Sequence, residues 1–399
     1  MKVLIVNTLY YPYKVGGAEV SVQLLSEELV SKGHQVRVVC LHKEKYKKKE
    51  VLNGVEIIYL PLINLYWPFE EGSKRKINRL LWHIIDSYNI FMARSLSKEI
   101  DEFTPDVVHT NNIAGFSVAI WRAIKKRNNR LVHTSRDYYL FHPNSTMFSQ
   151  DRNMEPNQGS VRFWSFFKKL ASKNVDAYIG ISDFIRKFHV DNGFFPNATT
   201  DYIYNAVEKI RIKDSEIKDV CFGFIGRLTK DKGFDVYCQL VDKFKEEHPN
   251  ATFYAAGRFV GSEDDEELES LAKQKGIKLL GFIPPSEFFS LVDVIVLPIK
   301  WREPFGRVVI ESVMADKIVL TNSIGGVSEL KRFFPKILFI EDMRKMDFQF
   351  KKSEVMHENM FSSGEIAKQY IEKYKESNFI KLSLALFKCE YQRVKNVIY

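Results

Sequence analysis

The stretch Val220-Cys221-Phe222-Gly223-Phe224-Ile225-Gly226-Arg227-Leu228-Thr229-Lys230-Asp231-Lys232-Gly233 decides how the chain is read. It begins as a short apolar run, the pattern of a strand covered on both faces. Gly226 breaks the run into a basic loop, and Gly233 opens a helical pattern that reaches Glu247. Strand, loop and helix in that order form the first unit of an open parallel sheet. The unit stands in mid-chain, and its successors are strand-like runs at Ala251–Ala256, Lys278–Leu280, Val294–Pro298 and Lys317–Thr321. Helical patterns at Asp265–Lys275, Pro285–Leu291 and Gly306–Met314 alternate with them.

The same alternation has already run once before it. Val3–Asn7, Val36–Leu41, Val55–Leu60, Asp106–Thr110, Leu131–Ser135 and Ala177–Ile181 read as strands. Ala18–Lys32, Ile77–Phe103, Phe116–Arg127 and Val161–Lys173 read as helices. The polar stretch 207–219 separates the two runs as a linker. The fold class is therefore α/β, with two doubly wound, Rossmann-like domains facing each other across a cleft. The expected boundaries are 1–207, 208–370, and a basic helical segment 371–399 of unassigned role. Ligands of such domains sit beyond the carboxyl ends of the strands, so the cleft is the expected site.

Composition narrows the class. The 399 residues are 45% hydrophobic and 27% charged, a globular balance that excludes disorder and collagen-like structure. The apolar run near Leu80–Ala93 is interrupted by His83, Asp86 and Asn89 and is too short for a membrane span. Four scattered cysteines, Cys40, Cys221, Cys238 and Cys389, lack metal spacing and read as free thiols of a reducing cytoplasm. The charge is uneven. Residues 1–209 carry 29 Lys+Arg against 21 Asp+Glu, a net of +8, which leaves +1 of the total +9 for the rest. A basic first half suits an anionic partner. The run Lys43–Lys49 reads on its own as a solvated loop.

Three clusters carry chemistry. Gly16-Gly17-Ala18-Glu19 opens a helix, where free amides attract anions and glycine admits close approach. By itself this serves equally well as a structural turn. Arg227 and Lys232 stand between a strand end and a helix start, and two cations beside a positive helix end suit a diphosphate without a metal. Glu303-Pro304-Phe305-Gly306-Arg307-Val308-Val309-Ile310-Glu311 places two glutamates across a loop-to-helix junction. A carboxylate accepts two hydroxyl hydrogens and so suits a sugar diol, while the amides of 305–308 face a phosphate. No Asp-x-Asp occurs in the chain, so a metal-bound diphosphate is not expected.

Together these elements resemble glycosyltransferase family four, the retaining GT-B enzymes that use nucleotide-sugars. The likeness runs over roughly residues 1–340. Its most specific part is EPFGRVVIE with the following Gly325-Gly326-Val327-Ser328-Glu329. FIGRLTKDKG, Tyr204-Asn205-Ala206-Val207, Asp106–Asn111 and Arg136-Asp137 add to it. The resemblance implies that Arg227 and Lys232 hold the departing diphosphate, Glu311 the ribose diol, and Glu303 the transferred sugar. Gly16 and Gly17 would line the cleft, with Asp137 and His109 on the acceptor side. The candidate catalytic residues are Glu303, Arg227, Lys232 and Asp137. The candidate donor-binding residues are Gly16, Gly17, Gly226, Arg227, Lys232, Glu303, Pro304, Phe305, Gly306, Arg307 and Glu311, with no metal ligand. The sequence departs from the family where its histidine stands as Arg136, a group that suits an anionic acceptor.

The expected reaction is transfer of a hexose-type sugar from a nucleoside-diphosphate sugar to a hydroxyl of a saccharide or lipid-linked acceptor. No cofactor or metal is expected. The other readings are a nucleotide-sugar binding protein, or an epimerase or phosphorylase on the same fold. The aromatic-basic segment Val161–Lys169 suggests peripheral contact with an anionic membrane, placing the protein at the inner face of the cytoplasmic membrane. A core helix with snorkelling lysines accounts for it equally. Nucleic acid is not an expected partner.

Overall fold

A computed structural model describes residues 1–13, 16–69, 75–210, 212, 219–342 and 358–376. The first domain runs β1 (Lys2–Val6), α1 (Gly17–Ser31), β2 (Gln35–His42), β3 (Lys48–Leu52), β4 (Val55–Pro61), α2 (Lys76–Ser87), α3 (Ile90–Phe103), β5 (Val107–Thr110), α4 (Ala119–Lys125) and β6 (Arg130–Ser135). It continues with the hairpin β7 (Phe148–Ser149) and β8 (Arg152–Asn153), then α5 (Gly159–Ser172), β9 (Ala177–Gly180), α6 (Asp183–Asp191) and β10 (Thr199–Tyr202). The second comprises β11 (Cys221–Ile225), α7 (Phe234–Glu247), β12 (Thr252–Ala256), α8 (Asp265–Lys275), β13 (Lys278–Leu279), α9 (Pro285–Leu291), β14 (Val294–Leu297), α10 (Arg307–Met314), β15 (Ile318–Thr321) and β16 (Ile337–Phe339). A last helix, α11, spans Ser363–Lys375.

The first sheet has the order β10-β9-β6-β5-β1-β2-β4-β3 and the second β13-β12-β11-β14-β15-β16. Both are parallel except for the pairing of β3 with β4. Val3, Leu4, Ile5 and Val6 of β1 are each fully buried, which is why the strand reads as an unbroken apolar run. In each sheet the strand order reverses beside the first strand, at β1/β5 and at β11/β14. Crevices open at such reversals, and here the two face one another.

Several expectations change. The helix read over Ile77–Phe103 is two helices, because Asn89 caps α3 by accepting from the amides of Phe91 and Met92 at 3.1 Å. Such a cap stabilises a helix start by about 1 kcal/mol and outweighs the continuous apolar pattern. The basic run at 43–49 is only partly loop. Lys48 and Lys49 enter edge strand β3, where lysines discourage pairing with another chain. Strands β10 and β16 and helix α6 were not read from the sequence at all. The linker 207–219 lies largely outside the described residues.

The boundary at residue 370 falls inside α11, which crosses back onto the first domain. Tyr374 Oη lies 2.7 Å from His109 Nδ1, and Tyr370 Oη 3.2 Å from Thr134 Oγ1. Arg130 donates to the carbonyl of Lys373 at 2.8 Å. The remainder of the expected terminal segment, 377–399, lies outside the described residues.

Candidate functional site

A cavity of about 560 Å³ occupies the crevice between the domains. The loops after β11 and β14 and the start of α10 form one wall, and the segments after β1 and β6 form the other. The loop after β11 reaches α7 through Gly233, whose φ of 80° is left-handed. A Cβ there would stand 1.9 Å from the carbonyl oxygen of Pro298, so only glycine lets β14's loop pass this close. That passage puts Lys232 against the next loop. Its Nζ donates to Glu303 Oε2 at 2.6 Å and lies 4.7 Å from the centre of the Trp301 ring.

The loop carrying Glu303 is fixed from behind. Gly326 N donates to the Glu303 carbonyl at 2.8 Å, and a Cβ on Gly326 would meet the Pro304 carbonyl oxygen at 2.4 Å. Ser182, of the first domain, donates from Oγ to that same Pro304 oxygen at 2.6 Å. The Glu329 carboxylate accepts the amides of Asp183 and Phe184 at the start of α6, where the helix end favours an anion. The Gly325–Glu329 stretch of the sequence motif thus joins the two domains behind the cavity.

On the facing wall, Gly16 N donates to Glu19 Oε2 at 2.9 Å and closes the first turn of α1. A Cβ on Gly17 would stand 3.1 Å from Arg307 Cδ, so the glycine admits Arg307 across the cleft. Arg307 donates from Nε to Glu311 Oε1 at 2.8 Å and from Nη1 to the Ala206 carbonyl at 2.9 Å. The carboxyl of Glu311 is raised above its ordinary range by burial, and Arg307 opposes the shift.

The candidate residues therefore meet, with three qualifications. Gly16, Gly17, Gly226, Arg227, Lys232, Asp137 and the run Glu303–Arg307 all line the cavity. Glu311 is not among the lining residues and turns its carboxylate onto Arg307. Arg227 is half exposed and pairs with Asp231 at 2.9 Å, one turn along its own loop. His109, expected on the acceptor side, is fully buried between Tyr374 and Thr134. Burial pushes its imidazole well below the ordinary range, so it is a neutral core residue beneath α11.

Asp137 lies in the cavity wall and accepts the Tyr139 amide at 2.8 Å. Burial raises its carboxyl to about 6. Behind it, Tyr139 Oη donates to Asp86 Oδ2 at 2.9 Å, and Lys168 Nζ donates to the Tyr139 carbonyl at 2.5 Å. Burial raises Asp86 to about 6 and lowers Lys168 to about 8. The sequence reading missed Trp301, Ser182 and this buried trio, and it quoted Asn205 in its motif without giving it a role. Trp301 stands two residues before Glu303, an aromatic beside an acid in a cleft loop, which is a signal. The others have none in the linear pattern. Among the described residues no cluster of three His, Cys, Asp or Glu is arranged to hold a metal ion.

Residues 15–209 match the Glycosyltransferase Family 4 family, and residues 207–372 match Glycosyl transferases group 1. A 42.6 kDa protein of the cps region of Klebsiella pneumoniae is 44% identical over 94% of this chain and 100% of its own length. Trehalose-6-phosphate synthase OtsA superposes with a TM-score of 0.69 at 11% identity, covering 94% of this chain and 99% of OtsA. HepE of Anabaena, in complex with UDP-glucose, superposes with a TM-score of 0.63 at 18% identity, covering 94% and 99%. The architecture of the two facing domains is GT-B.

Proposed function

The chain belongs to the group 1 glycosyltransferases, its amino-terminal half to family 4, and from that premise we propose that it moves a hexose-type sugar from a nucleoside-diphosphate sugar to an acceptor hydroxyl with retention at the anomeric carbon. The observation that carries the reading is the second-domain wall of the cavity, where Lys232, Glu303 and the amino end of α10 converge. The bond that breaks joins the anomeric carbon to a phosphate oxygen. Negative charge gathers on the departing diphosphate while the sugar becomes oxocarbenium-like. Donors already aimed at the developing charge supply much of the barrier lowering.

In this reading Lys232 and Arg227 exchange their present carboxylate partners for diphosphate oxygens. Release of Lys232 frees Glu303 to accept sugar hydroxyls, so donor binding arms both residues at once. Glu311 keeps Arg307 in place on the cavity wall. The acceptor oxygen attacks from the face the diphosphate leaves, and its proton passes to the departing group. Two cations and two helix ends do the work that a divalent ion does elsewhere, so turnover is metal-independent.

A surface polysaccharide such as a capsule is the proposed destination of the sugar. The Klebsiella relative is described as a protein of the cps region, which supports that choice. The acceptor is carried on lipid and the protein sits peripherally on the inner face of the cytoplasmic membrane. Among the described residues no helix is long and apolar enough to cross a membrane. However, α2 and α5 turn apolar side chains outward. Ile77, Leu80, Leu81 and Ile84 on α2, and Phe163, Phe166, Phe167 and Leu170 on α5, are all exposed. Exposed Arg75, Lys76, Arg79, Arg162 and Lys173 accompany them. An apolar face bordered by cations suits an anionic lipid surface.

The test is purified protein with UDP-, GDP-, ADP- and TDP-sugars, with and without EDTA, and with a Glu303→Ala, Glu311→Ala double variant as control. EDTA-resistant release of nucleoside diphosphate from one donor, lost in the variant, is the expected result. Release that EDTA abolishes would refute the metal-free mechanism.

A further inference from the structure

Arg136 is a buried cation that the protein itself does not neutralise. Its side chain lines the cavity, yet the residue is only 7% exposed. Nε donates to Asn111 Oδ1 at 3.0 Å and Nη1 donates to Asn205 Oδ1. Both acceptors are neutral amides, and the Tyr370 hydroxyl, also neutral, interacts with the same guanidinium. Among the described residues no carboxylate lies within ion-pair distance of Arg136. The other cavity cations all have one: Arg227 has Asp231, Lys232 has Glu303 and Arg307 has Glu311. Glu19, which pulls on Arg136 through space, already accepts the Gly16 amide.

A second observation lies beside the first. Asn111 Nδ2 is buried and has no acceptor among the described residues. The amide that orients the guanidinium is thus itself a donor short of a partner. Buried charges and buried donors are kept in native proteins when something answers them. Here the arrangement is donor-rich, faces the cavity, and lacks one negative group.

We propose that Arg136 is a specificity residue that takes a carboxylate of the substrate, so that one of the two sugars handled at this site is a hexuronic acid. The inference rests on the glycosyltransferase reading of the same cavity. A planar guanidinium pairs with a carboxylate through two parallel hydrogen bonds and matches its single charge. The diphosphate has its own partners on the opposite wall, in Arg227, Lys232 and the start of α10. Arg136 projects from the segment after β6, on the first-domain wall. The carboxylate belongs either to the transferred sugar or to the acceptor's end sugar, and the experiment separates the two.

Full-length protein is titrated calorimetrically with UDP, GDP, ADP, TDP and matched pairs of donors: UDP-glucuronate against UDP-glucose, UDP-galacturonate against UDP-galactose, GDP-mannuronate against GDP-mannose. A second arm titrates methyl uronosides against neutral methyl glycosides, with the nucleotide that binds present at saturation. In one arm, an acidic member binds about tenfold or more tightly than its neutral counterpart, as a charge-assisted pair requires. In Arg136→Gln that preference disappears while the affinity for the bare nucleotide stays within about twofold. Arg136→Lys keeps the charge without the fork and shows a reduced preference, which decides the matter if the Gln variant does not fold. Equal binding within every pair in the wild-type protein overturns the proposal. So does an Arg136→Gln variant that binds bare nucleotide tenfold more weakly, since Arg136 then holds the diphosphate. If the wild-type protein binds none of UDP, GDP, ADP and TDP, the transferase reading itself falls, and this one with it.

Discussion

Lys232 and Glu303 neutralise each other on the cavity wall, paired at 2.6 Å with both side chains largely buried. In the proposed reaction, removing the lysine strips the diphosphate of a cation and leaves Glu303 with an unanswered charge. Truncating one partner of a buried charged pair costs about 2–5 kcal/mol, so Lys232→Met should lower kcat/KM by about 30-fold to several thousandfold. Steady-state kinetics check this, and a change of less than threefold would remove Lys232 from the machinery. Asp137 offers a pH test. Its carboxyl titrates near 6 because burial disfavours the charge. Where the ionised form is required, activity falls as pH drops through 6, and Asp137→Asn should abolish that limb of the kcat/KM profile. Asp86→Asn should leave it, since Asp86 is held by Tyr139 and Gly115 away from the cavity. The stability effect has the opposite sense. Between about pH 4 and 6 the folded state holds a proton that the unfolded chain has lost, so stability declines as pH rises through that window. Urea titrations at pH 4 and 6.5 should show that decline reduced in Asp137→Asn.

At the scale of elements, the loop that carries Glu303 depends on a backbone packed against it. Gly325 and Gly326 begin the short helix at Gly325–Arg332, and a Cβ on Gly326 would stand 2.4 Å from the Pro304 carbonyl oxygen and 2.9 Å from Ser182 Oγ. Gly326→Ala has to push the loop that carries Glu303 by several tenths of an ångström. Overpacking of this kind costs about 1–3 kcal/mol in stability. Misplacing a substrate-positioning group by about 1 Å can cost about 100-fold in rate. The variant should therefore melt only a few degrees lower while losing most of its activity. A variant of normal activity would show that the loop tolerates the shift. The helices around the cavity were legible from the sequence because each begins at a glycine or a turn and shows an apolar stripe. The division of Ile77–Phe103 was not, because Asn89 is a single polar residue inside an otherwise helical pattern.

For the whole molecule, the outward apolar faces of α2 and α5 raise a question of partners rather than of stability. Their inner faces reach the buried trio, since Asp86 belongs to α2 and Lys168 to α5. A triple Phe163→Ser, Phe166→Ser, Phe167→Ser variant should lose co-sedimentation with anionic phospholipid vesicles. Its release of nucleoside diphosphate with a soluble acceptor should stay near that of the parent. Unchanged vesicle binding would overturn the membrane assignment. The sequence by itself determined the two-domain α/β plan and the three motif clusters around the cleft. It could do so because strand, turn and helix signals are local, and buried parallel strands are apolar throughout. Only the tertiary structure decided which charges are paired, that His109 is a core residue, and that α11 returns to the first domain. It alone showed that Arg136 meets two amides and a tyrosine hydroxyl and has no ion-pair partner among the described residues. Those outcomes depend on groups far apart in the chain, brought together by sheet order and burial, and burial sets the cost of a charge that spacing along the sequence does not record.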